Sequence, residues 1–185
     1  DPAIEIFLDD KDYKVRYEAI RAINDRVIVG DAQEILASLL VDLAKPEGAI
    51  DELMHLRIIN ANYYLGDKKS AERLLKYASR KDLDSAMAQE ALAALQAWYE
   101  KAPLDNTTGL PRKYLTARVD VKDVLHRYLG NLLSSTQGKL LAQLNRLANK
   151  CDFPISSEIL FAHLKNQHLI DEIRLGALDD LSQRG

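Results

Sequence analysis

The sequence predicts an all-α chain made of stacked helix pairs, and three observations carry that expectation. Apolar residues recur at three- and four-residue spacing in nearly every segment, which is the helical period. Only 8 glycines and 5 prolines interrupt 185 residues. One short frame of a glutamate, small residues and aliphatics also returns along the chain.

The periodicity resolves into ten helices, at about 2–9, 12–25, 31–44, 50–65, 68–79, 84–100, 120–133, 136–150, 156–166 and 170–182. Pro2 after Asp1 reads as a first-turn proline behind its cap, and a start at Asp1-Pro2 without Met reads as a fragment or processed product. In the second helix Val15, Ala19, Ala22 and Ile23 form a stripe to bury, with Arg16, Glu18 and Arg21 between them. Asp12 and Asp84 stand where the second and sixth helices need N-caps. Asp31 and Asp120 each supply an acceptor at a start, with Glu34 and Asp123 three residues on. Gly66 supplies the positive φ that ends the fourth helix, and Asp67 caps the next. Residues 101–119 hold two prolines, a glycine and Asn106-Thr107-Thr108, so an irregular segment is expected there.

Val15-Arg-Tyr-Glu-Ala19-Ile-Arg-Ala22-Ile23 aligns with Met87-Ala-Gln-Glu-Ala91-Leu-Ala-Ala94-Leu95 and with Ile173-Arg-Leu-Gly-Ala177-Leu-Asp-Asp-Leu181. Ala61 and Leu65 fit the same frame, with Arg57 one residue out of register. A small residue where two helices cross lets the backbones approach while aliphatics fill either side. Pairs of this kind cannot bury their own faces alone and stack into a continuous core. The pattern resembles HEAT repeats. That resemblance implies a right-handed α–α superhelix, a HEAT-like solenoid of about five pairs, with repeats over 1–100, the irregular 101–119, and 120–185 completing the same solenoid.

A longer run of words follows in order: RYEAIRAIND, LRIINANYYLG, YASRKDLDSAMAQEALAALQAW and DNTTGLPRKYL. Over about residues 9–118 this is similar to the HEAT-repeat region of large bacterial proteins related to glucose/sorbosone dehydrogenases. Those proteins join a quinoprotein-like propeller to helical repeats and often to a c-type haem domain. The resemblance implies a periplasmic or cell-surface parent, with a cytoplasmic one left open. Any dehydrogenase activity would belong to that parent, because this chain has no propeller and no CxxCH.

Charge and composition narrow the function classes. Residues 1–100 carry 13 basic and 19 acidic side chains, and 101–185 carry 12 and 9. The overall charge of −3 is a poor footprint for nucleic acid. No apolar run approaches the roughly 20 residues of a membrane span, so no membrane insertion is expected. His163 and His168 are five apart and point to different helix faces, unlike an i, i+4 metal pair. Cys151 reads as a buried, inert thiol. No phosphate loop or nucleophile elbow is present, so neither catalytic residues nor a cofactor are expected.

Two surfaces remain as binding candidates. Second helices of solenoids usually line the concave face, which marks a ridge of Arg21 and Tyr63 with Tyr17 and Gln89 nearby. The other is the basic and aromatic group Arg112, Lys113, Tyr114 and Arg118, either a docking element or a bridge packed on its own solenoid. The expected function is a non-catalytic interaction or scaffold module, partnered by neighbouring domains of its parent chain or by another protein. The alternatives are a HEAT-like nucleic-acid-binding or DNA-repair protein, and a bilin-lyase-like HEAT protein.

Overall fold

The computed structural model describes residues 4–26, 30–100, 104–105, 107–111, 120–136 and 138–183. Among them every regular element is helical, and none of the helices is long and apolar enough to cross a membrane. The helices are α1 (Tyr13–Asp25), α2 (Asp31–Ser38), α3 (Ala49–Leu65), α4 (Lys68–Ala78), α5 (Ser85–Gln96), α6 (Lys122–Ser135), α7 (Gly138–Lys150), α8 (Ser157–Lys165) and α9 (Asp171–Ser182). The chain divides into two compact units, Asp1–Val121 and Lys122–Gly185.

Local signals set most helix ends. Asp12 accepts from the Lys14 amide at 2.9 Å, Asp67 from Ser70 at 2.7 Å, and Asp84 from Ala86 and Met87 at 2.8 and 3.0 Å. Gly66 closes α3 with φ of 62°. Other ends depart from expectation. The first predicted helix is a 3-10 segment, Glu5–Asp9, and Pro2 lies outside the described residues. Gly30, with φ of 110°, precedes α2, so Asp31 is its first residue rather than its cap. That helix tightens into a second 3-10 turn at Leu39–Val41. The sixth predicted helix stops at Gln96, and α6 begins two residues beyond Asp120.

In the first unit the elements pair in chain order. The Glu5–Asp9 segment packs on α1, α2 on α3, and α4 on α5. The second members also stack, α1 on α3 and α3 on α5. In the second unit α6 packs on α7, α8 on α9, and α7 on α9. Ala19, Ala61, Ala91 and Ala177, the small residues of the recurring frame, are all buried. The α1 stripe is placed differently from the sequence reading. Its buried face is Ala19, Ile20, Ile23 and Asn24, while Val15 is exposed.

Helix α3 has no solvent face over two turns, because Arg57 through Tyr63 are buried consecutively. Each buried polar side chain there finds a partner on a different neighbour. The Arg57 guanidinium binds both carboxylate oxygens of Asp25 at the end of α1, at 3.1 and 3.3 Å. Asn62 donates to the Ala37 carbonyl of α2 at 3.0 Å. His55 meets Tyr77 of α4, the hydroxyl 2.5 Å from Nδ1, where a neutral imidazole accepts. The Trp98 indole, just past α5, donates to the Tyr63 carbonyl at 3.0 Å. Burial, opposed by Asp51 and assisted by Arg80, pulls the His55 pKa down to about 4.

Two outcomes follow from this packing. Ala91 is fully enclosed, so Ala91→Leu should overpack α5 and cost roughly 1–3 kcal/mol. An unchanged denaturant midpoint would show that Ala91 is not at a tight crossing. His55 supplies a pH signature. Above its ordinary pKa near 6.5 neither state is charged, whereas between 6.5 and 4 only the unfolded chain takes the proton. Stability should therefore fall by roughly 1–2 kcal/mol from pH 7 to 5 relative to His55→Gln. Parallel pH profiles for the two proteins would contradict this.

Candidate functional site

The Glu5–Asp9 segment lies along α1 without covering it. Between them runs an open groove of about 540 Å³, lined by Ile4, Phe7, Lys14, Val15, Glu18, Ala19, Arg21, Ala22 and Arg26. Positions 15, 19, 22 and 26 recur at i, i+4, i+7 and i+11, so they line one face of the helix. The floor is apolar: Phe7 is 43% exposed and Val15 36%, with the two alanines between. The rim carries three cations, Lys14, Arg21 and Arg26, against one carboxylate. That carboxylate, Glu18, takes both Nε and Nη2 of Arg21, at 2.9 and 2.5 Å. The pair fixes the arginine along the groove edge and leaves the rim with a positive excess.

A second cavity, inside the other unit, is of different character. It holds about 220 Å³ between α7, α8 and α9, with Asn145, Arg146, Asn149, His163, Glu172 and Asp180 in its lining. Arg146 meets Glu172 at 3.1 Å, and His163 Nε2 lies 3.0 Å from the Leu133 carbonyl. Its arginine is met by Glu172, and the cavity is smaller than the roughly 300–1,000 Å³ of ordinary ligand pockets. Among the described residues no three His, Cys, Asp or Glu side chains gather as a metal site requires. Cys151 is buried with Sγ 3.4 Å from the Ala148 carbonyl, and burial pushes its thiol pKa up, away from the reactive thiolate.

The predicted ridge does not assemble. Only Arg21 stands at the groove. Tyr17 is half-buried with the Arg57 guanidinium 5.4 Å from its ring centroid, so it serves the α1–α3 contact. Tyr63 is wholly buried and edge-on to Tyr64, because α3 is enclosed on every side. Gln89 donates to the carbonyl and hydroxyl of Ser85, one turn back on its own helix. Arg112, Lys113, Tyr114 and Arg118 lie outside the described residues.

The described part of 101–119 is tied to α3 through a buried carboxylate. Asp105 accepts from Asn60 at 2.8 Å, from the Thr107 amide at 2.7 Å, and from the Thr107 hydroxyl. Burial pushes the Asp105 pKa upward, but hydrogen bonds from Thr107, Asn60 and Thr108 outweigh it and hold the carboxyl below its usual range. The turn closes with the Asp105 backbone amide donating to the Leu110 carbonyl at 2.8 Å. This stretch is a structural anchor on the first unit.

Sequence reasoning missed Ile4, Phe7, Lys14, Val15 and Arg26. The available signal was an apolar pair, Ile6-Phe7, within the acid-rich opening, followed by a stripe too wide for one buried face. Comparison with family models, with curated proteins and with solved structures finds no match for this chain.

Proposed function

We propose that the chain is a non-catalytic interaction module of HEAT-like helix pairs, and that its α1 groove holds an amphipathic helix bearing an apolar stripe flanked by acidic residues. The groove carries this reading: an apolar floor at helical spacing under a rim with excess positive charge. The order of packing, pair by pair with the second members stacked, supports the repeat architecture within each unit. The resemblance to the HEAT-repeat region of glucose/sorbosone dehydrogenase-related proteins is the ground for proposing a parent chain with catalytic domains, exported to the periplasm or cell surface. In that setting the module's role is to hold a neighbouring domain or another protein in place.

Grooves of this size and polarity make weak, salt-sensitive contacts. A fluorescent helical peptide with leucines at i, i+3 and i+7 and Asp or Glu on both flanks should bind with Kd on the order of 10 µM. The same peptide with Lys on its flanks should bind at least tenfold more weakly, and Val15→Glu should abolish binding of both. Equal affinity for both peptides, or binding untouched by Val15→Glu, would overturn the assignment.

A further inference from the structure

The chain itself carries a helix of the chemistry the groove fits. In α9 the packed face is Ile173 and Ala177, leaving Leu175 60% and Leu178 48% exposed. Residues 171, 175, 178 and 182 recur at i, i+4, i+7 and i+11, the same spacing as the groove floor on α1. Asp171 and Asp179 stand on that exposed face beside the two leucines, and Glu172 borders it. Arg174 reaches Asp171 only at 3.6 Å, and Arg146 pairs with Glu172. The exposed face of α9 therefore carries two leucines in line with Asp171, with Asp179 and Glu172 along one side and Arg174 on the other, and the α1 groove is an apolar floor edged with base.

We propose that the groove's occupant is α9 of a second copy of this chain, so that copies associate head to tail. This assignment rests on the docking reading of the groove given above. The two surfaces are different patches of one molecule, so the contact is heterologous, and an open assembly leaves one groove and one α9 face unused at its ends. One helix laid in one groove buries little area, so the association is weak and depends on concentration and salt. An exposed pair of leucines on the last described helix and an open groove on the first then have one common explanation.

The test uses the whole chain and two surface substitutions, one on each face. Val15→Glu breaks the groove and keeps α9, while Leu178→Glu breaks the α9 face and keeps the groove. Leu175→Glu is an equivalent on the same face, and circular dichroism confirms that each variant is folded. In sedimentation equilibrium the native chain should show a mean mass that rises above the monomer with concentration and falls back in 1 M NaCl. Each variant alone should stay monomeric, and an equimolar mixture of the two should form a one-to-one pair and nothing larger. A native chain that stays monomeric at millimolar concentration would overturn the proposal, as would variants that associate like the native chain. If the native chain is monomeric yet its groove still binds the acidic helical peptide, the docking reading stands and only the identity of the partner fails. If neither association nor peptide binding occurs, the groove reading itself has failed.

Discussion

The first unit depends on one constraint: a helix with no wet face must find a partner for every polar side chain it carries. Helix α3 meets this in part by spending His55, Arg57, Asn60 and Asn62 on four neighbours, namely α4, α1, the Asp105 turn and α2, while the Oδ1 atoms of Asn60 and Asn62 stay buried without a hydrogen bond among the described residues. Leaving such a group unpaired costs about 1–3 kcal/mol, whereas an apolar contact can slide at little cost. The polar contacts therefore do more than hold the unit together. They fix which helix lies where and in what register, while Ile58, Ile59, Ala61 and the surrounding leucines supply the burial.

The same logic accounts for what is left open. Helix α1 gives its buried face to α2 and α3, and among the described residues the short Glu5–Asp9 segment packs on its other side. A 3-10 segment of five residues is too short to cover a helix of thirteen, so Val15 and Phe7 stay accessible. The apolar stripe left exposed on α1 follows from that short cover. The rim of Lys14, Arg21 and Arg26 is the ground on which we propose an acidic helix as its partner.

The parts of this fold that were legible in the sequence are those governed by near neighbours. Asp12, Asp67, Asp84 and Gly66 act on residues within one turn, so cap chemistry located the ends of four helices to within a residue or two. The recurring alanines were readable for the same reason, since their spacing is a helical period. The register that sets Tyr63 level with Arg21, each two residues past a frame alanine, says nothing of the neighbouring Asn60 and Asn62, which are buried with it. Their partners, Asp105 and the Ala37 carbonyl, lie 45 and 25 residues away in the chain. The groove was hidden differently, because Val15, Ala19 and Ala22 have a spacing that suits both burial and docking. Spacing alone does not distinguish a stripe that finds a partner from one that does not.

The account stands or falls on α3 as the element to which the others are tied. Native-state hydrogen exchange reads this directly, since each amide reports the smallest opening that exposes it. The amides of Ile58 through Tyr63 should be the slowest in the first unit and should exchange only with its complete unfolding. Those of α1 and α5 should open earlier, because each is stacked on α3 from one side. Amides of α3 that exchange before those of α1 or α5 would show that the unit is held together elsewhere.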